Sequence, residues 1–161
     1  MIELSRSYVA PIVISTAFTA QIDVFEILAA SGKPCVLLGW EFGQLTEVGD
    51  AQEEQLQMAL KRCVGGTSGS GGGTSTFQST RPNDTAAGVT METGNTTKYA
   101  AGTVVEMARF NWNVRMNCLY VPVPEERIVF DASTRMVLEL VTTPADSIGG
   151  IAGRVSVGEI I

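Results

Sequence analysis

The stretch Gln55-Leu56-Gln57-Met58-Ala59-Leu60-Lys61-Arg62-Cys63-Val64 carries the decision about fold class. Read with a period of two, Leu56, Met58, Leu60 and Val64 fall on one face, and Gln55, Gln57 and Lys61 fall on the other. That is the pattern of a strand with one dry and one wet side. A helix over 51–63 competes, because Glu, Gln, Leu, Met and Lys are good helix formers. The surroundings favour the strand. In 35–42, Val36, Leu38, Trp40 and Phe42 alternate again, and helical periodicity is weak along the whole chain.

Working outward, further strands are expected at 8–14, 23–28, 88–92, 103–112, 115–121, 127–130, 136–142 and 151–160. In 136–142, Met136, Leu138 and Leu140 lie opposite Val137, Glu139 and Val141. Both faces are largely apolar, which places this strand at the centre of a sheet or against a neighbouring subunit. Turn chemistry separates the candidates, as in Ser31-Gly32-Lys33-Pro34, Thr93-Gly94-Asn95 and Asp131-Ala132-Ser133-Thr134. Short strands at this spacing, with no helices between them, predict an all-β fold: an antiparallel β-sandwich, jelly-roll-like.

A chain of 161 residues fits one domain, here 1–161, and buries enough surface to hold a core without disulfides or metal. Residues 1–7 read as an N-terminal arm. Arg6 ahead of an apolar run, with Ala17-Phe18-Thr19-Ala20 beyond it, faintly resembles a signal peptide, but Glu3 and Pro11 spoil that pattern. The segment that follows the arm is therefore read as a first strand. Residues 65–85 read as one long loop, because 65–76 consist of Gly, Ser and Thr alone. Such a composition is flexible by itself, so any order in it is expected to come from neighbouring chains.

Charge and composition exclude several functions. Eleven basic against 17 acidic residues give a net charge of −6, which offers no basic field for nucleic acid. No apolar run approaches the length of a membrane-spanning helix. The three cysteines, Cys35, Cys63 and Cys118, are widely spaced and read as free thiols of a reducing cytoplasm.

Catalytic motifs fail on their own chemistry. The chain has no His, so Ser–His–acid and Cys–His arrangements are impossible. The Gly-rich run lacks the Lys-Ser/Thr that a phosphate-binding loop needs. Glu53-Glu54 and Glu125-Glu126 are adjacent pairs, which on a strand point to opposite faces and cannot flank one glycosidic bond. The five Asp residues are scattered and lack calcium-loop spacing. Asn83-Asp84-Thr85 and Asn95-Thr96-Thr97 match the glycosylation sequon but read as polar loop. Trp40 and Trp112 read as core. The expectation is a protein without enzymatic activity and without cofactor or metal.

A resemblance adds to this reading. Val48-Gly49-Asp50-Ala51-Gln52-Glu53-Glu54, followed by the alternating strand and Gly65-Gly66-Thr67-Ser68-Gly69-Ser70, resembles small structural proteins of tailed bacteriophages. Asn83-Asp84-Thr85-Ala86-Ala87-Gly88, Phe110-Asn111-Trp112-Asn113, Tyr120-Val121-Pro122-Val123-Pro124-Glu125 and Pro144-Ala145-Asp146-Ser147 continue it in order. Each piece is low in specificity, and the match rests on their order from about Asp23 onward.

The resemblance implies a capsid cement or decoration protein: a β-sandwich made in the bacterial host cytoplasm that binds the major capsid protein on the outside of the virion. It implies a homo-oligomer, a trimer at a local three-fold axis. It implies no catalytic residue, no nucleic-acid partner and no membrane. Contact residues are expected among Ile2, Leu4, Phe77 and Tyr99, apolar groups in otherwise irregular stretches, although each would equally serve as a lid on the domain's own core. A tail or baseplate component and a carbohydrate-binding adsorption module stay open as alternatives.

Overall fold

Every regular element among residues 4–160, which the computed structural model describes, is a β-strand, apart from one 3-10 turn at Pro124–Glu126. The strands are β1 (Leu4–Ile14), β2 (Asp23–Ala29), β3 (Cys35–Gln44), β4 (Gln55–Val64), β5 (Gly73–Ser75), β6 (Gln78–Ser79), β7 (Val89–Asn95), β8 (Thr103–Asn113), β9 (Cys118–Tyr120), β10 (Val129–Phe130), β11 (Thr134–Leu140) and β12 (Ile151–Ile160). Residues Gln55–Val64 form β4. It alternates as expected, with Leu56, Met58 and Leu60 fully buried, and the helical alternative is discarded.

The strands form two antiparallel sheets. The first runs β10-β3-β12-β1-β6, with β9 beside β10 on the same edge of β3; the second runs β5-β7-β2-β11-β4-β8. Pairing is nested: β1 with β12, β2 with β11, β3 with β9 and β10, and β4 with β8. A long antiparallel ribbon rolled in this way is a jelly roll. Residues 65–102 are an insertion between β4 and β8, and their strands extend both sheets along one flank.

Between the sheets lies one apolar core. Tyr8, Ile12, Leu37 and Val155 from the first sheet meet Phe25, Leu60, Met136 and Leu138 from the second. Each such side chain contributes about 1.5–3 kcal/mol by leaving water. Trp112 packs edge-on against Phe42, with ring centroids 5.3 Å apart, and its indole N–H donates to the Met116 carbonyl at 2.8 Å. That bond closes the turn after β8. It also explains why the strand expected at 115–121 shrinks to β9.

Other expectations change for stated reasons. Leu4–Ser7 are not a free arm: they open β1 and pair with β12, and Leu4 lies against Gly158 and Val36. The alternation expected in 35–42 is broken at Gly39, opposite the register shift between Ser156 and Val157. There the Tyr120 carbonyl leaves no room for a Cβ, which would meet it at 2.4 Å. This bulge turns Trp40 and Phe42 into the core, while Val36 lies outside the inter-sheet cluster and is still fully buried. β11 does occupy a central position, between β2 and β4, with Val137 buried on the outer side as well.

Candidate interaction surface

The sandwich has two flanks, and they are built differently. On one, β8 ends the second sheet while β9 and β10 end the first. An aromatic seam joins these edges. Trp40 stacks on Tyr120 with centroids 4.3 Å apart, and Phe110 of β8 meets both rings edge-on at 5.4 and 5.2 Å. Outside the seam the flank is bare. Val104, Val105 and Met107 of β8 are exposed, and Leu119 and Val121 are each about two-thirds exposed. Among the described residues no strand pairs with the far side of β8, so the backbone groups that alternate residues of this 11-residue strand direct away from β4 lack a strand partner. Pro122 and Pro124 follow β9 and lack the N–H groups that would prolong its ladder.

The opposite flank is closed by the insertion. β6 pairs with β1, β5 pairs with β7, and the Ser75 hydroxyl donates across to the Pro11 carbonyl at 2.6 Å. Phe77, between those two short strands, inserts into the core with 5% of its surface exposed.

The rest of the insertion covers the outer face of the second sheet. Residues 65–72 and 96–102 are bridged by Thr67 to Ala100, at 2.8 and 3.1 Å, and by Ser70 to Thr97, at 2.9 and 3.0 Å. This lid touches the sheet through backbone. The Gly69 N–H donates to Glu26 at 2.8 Å, and the Tyr99 N–H donates to Asp23 at 2.7 Å. A Cβ on Gly69 would meet the Asn95 amide at 2.6 Å, and one on Gly72 would meet the Thr93 carbonyl at 2.3 Å. Glycine here serves close packing rather than flexibility. Residues 65–85 are therefore not one long loop: they carry β5 and β6 and pack on this chain's own sheets.

Beneath the lid lies a charged cluster. Arg135 pairs with Glu26 at 2.8 Å, Lys98 pairs with Glu139 at 2.8 Å, and Lys61 also bonds Glu139. Burial acts to raise the Glu139 carboxyl, but Lys61 and Lys98 together hold it below its usual range. Asp23 has no such pair of cations. Burial pushes it up to about 7 against the Tyr99 N–H, with Glu139 and Glu26 adding to the rise.

The expected contact residues do not form one patch. Ile2 lies outside the described residues. Leu4 is a half-buried member of β1, Phe77 belongs to the core, and Tyr99 anchors the lid with its hydroxyl donating to the Gly65 carbonyl at 2.5 Å. For Phe77 the burial overturns the exposed reading, because a side chain closing its own core has no surface to offer a partner. Asn95 of the second sequon is fully buried and cannot carry a glycan. What went unnoticed was the bare flank, although Tyr120-Val121-Pro122-Val123-Pro124 contains its signal: apolar residues interleaved with prolines cannot form a central strand.

Chemically reactive groups are muted. Burial pushes the Cys35 thiol up to about 12 and Cys63 to about 11, and raises Cys118 as well. Among the described residues, no three His, Cys, Asp or Glu side chains are grouped to hold a metal ion. A cavity of about 300 Å³ opens where β1 ends, lined by Phe18, Ser15, Thr16, Thr93 and Thr96 without a charged side chain. The chain matches no family model, no curated protein and no solved structure.

Proposed function

We propose that this chain is a non-enzymatic structural subunit of a tailed-bacteriophage virion, a cement or decoration protein that binds the major capsid protein from outside. The observation that carries the reading is the bare flank. A long unpaired edge strand flanked by exposed Val105, Met107, Leu119 and Val121 is a liability in a lone soluble domain and an asset in an assembling one. Jelly rolls recur in viral shells, which supports the reading by analogy of fold. The opposite flank is already sealed by the chain's own insertion, so assembly is directed to one side. Copies meeting through that side in closed symmetry form a trimer, and the outward strands then bridge neighbouring capsid subunits.

The test is the solution mass of the purified protein, followed by mixing with expanded phage capsids that lack it. A trimer that binds in fixed stoichiometry and raises the melting temperature of the shell is the expected result. The double variant Val105→Lys, Met107→Lys is expected to stay folded and to sediment as a monomer. Binding to tails instead of capsids would move the protein to a tail or baseplate. A monomer retained on immobilised glycans would replace the reading with a sugar-binding adsorption module.

A further inference from the structure

Glu41 of β3 stands in the ladder between Leu119 of β9 and Arg154 of β12. Residues directly opposite one another in antiparallel strands share a face. Trp40 and Phe42, on either side of Glu41, point into the core, so this row faces outward. Beside it runs a groove of about 290 Å³, lined by Leu38, Gly39, Leu119 and Val121. Glu41 and Arg154 also line the groove, and they form an exposed ion pair at 2.8 Å.

β8 carries the counterpart on the same open flank. Leu60 of β4 pairs with Ala108 and Lys61 pairs with Glu106, so Met107 has no partner and forms a bulge. In a regular strand, residues three apart point to opposite faces. The extra residue brings Glu106 and Arg109 onto one face, where they form an exposed ion pair at 2.7 Å. Exposed Val105 and Met107 stand beside that pair. The bulge also interrupts the free edge halfway along, which works against a continuous ladder between two copies of β8. One patch is thus an apolar ridge flanked by an acid and a base, and the other is an apolar groove flanked by an acid and a base.

We propose that these two patches bind each other between copies of this chain. Val105 and Met107 of one copy enter the groove beside Leu119 and Val121 of the next, where Arg109 faces Glu41 and Glu106 faces Arg154. This contact rests on the bare flank being the assembly surface, and it makes the assembly head-to-tail. Because the two patches differ, the contact is heterologous, and three of them close a ring. The apolar side chains supply affinity, whereas the exchanged ion pairs fix the register, since a wrong alignment sets like charges together.

Charge reversal separates this contact from a two-fold one. Glu106→Arg with Arg109→Glu keeps a pair within β8 but sets like charges against Glu41 and Arg154. It is expected to weaken self-association, measured by sedimentation, by about tenfold or more. Adding Glu41→Arg and Arg154→Glu restores opposite charges and is expected to return association to the wild-type level. In a β8-to-β8 contact every charge product between the strands survives the double reversal, so unchanged association of that variant would overturn the head-to-tail contact. Failure of the fourfold variant to recover, with urea unfolding like that of wild type, would do the same. Cysteine pairs give a second reading that leaves the charges alone. Val105→Cys with Val121→Cys is expected to yield covalent trimers on mild oxidation, and Val105→Cys alone is expected to stay uncrosslinked. Disulfide-linked dimers of Val105→Cys alone would overturn the proposal. A wild-type chain that sediments as a monomer would remove the assembly surface itself, whereas a wild-type trimer indifferent to both tests would keep that surface and discard this contact.

Discussion

The two flanks of this jelly roll begin with the same problem and end with opposite solutions. A two-sheet sandwich leaves four edge strands whose backbone groups lack partners. Along β1 the insertion adds β6, along β2 it adds β7 and then β5, and it plugs the gap between the sheets with Phe77. Along β8 and β9 nothing is added, and exposed Val104, Val105, Met107 and Leu119 stand beside the exposed Glu106–Arg109 ion pair. The closed flank spends Gly, Ser and Thr, which pack tightly and present only hydroxyls. The open flank spends Val, Leu and Met, which are costly to leave in water. Covering one edge and leaving the other open is the contrast on which the proposed assembly rests.

Phe77 and Leu119 put that contrast to its hardest test. Phe77→Ala removes a buried ring and should cost about 3–5 kcal/mol in urea unfolding. Leu119→Ser removes an exposed side chain and should stay within about 0.5 kcal/mol, while weakening self-association measured by sedimentation. If Phe77→Ala were mild and dissociated the oligomer, the assignments of the flanks would be reversed.

The lid offers a second contrast, within a single run of glycines. Gly72 has no room for a methyl group, since a Cβ would meet backbone at 2.3 Å, whereas Gly73 has nothing within 4 Å. Gly72→Ala should destabilise by about 1–3 kcal/mol, and Gly73→Ala should be nearly neutral, by the same unfolding measurement. Equal small effects would mean that the run behaves as a flexible linker after all.

These particular residues explain what could be read in advance. β4, β11 and β12 were legible because their apolar periodicity records a burial that each strand makes against its immediate neighbours. The bulge at Gly39 was not, because it depends on the Tyr120 carbonyl, some 80 positions away in the chain. The lid was misread for a related reason. Composition reports how freely a Gly-rich segment moves alone, whereas packing against Asn95 and Thr93 depends on what lies beneath it. The open flank was half legible: its valines were visible as strand residues, but a strand's own sequence does not tell whether both its edges are paired.

Thiol chemistry gives the smallest effect and the finest resolution between the two sides. Cys63 lies on the lidded face and Cys35 at the start of β3, both fully buried, while Cys118 begins β9 on the open flank at 8% exposure. All three thiols are pushed up by burial, so at neutral pH the reactive thiolate is scarce in the folded state. Modification must then follow local opening, and its order reports which region opens first. Cys118 is held by a three-residue strand next to an unpaired edge, whereas Cys63 pairs on both sides, with β11 and β8. Slow labelling with a maleimide, followed by mass spectrometry, should therefore mark Cys118 before Cys63 and Cys35. Capsid or self-association should slow that first step if the partner covers β9. Labelling of Cys63 first would mean that the lid, not the bare flank, is the least stable part of the molecule.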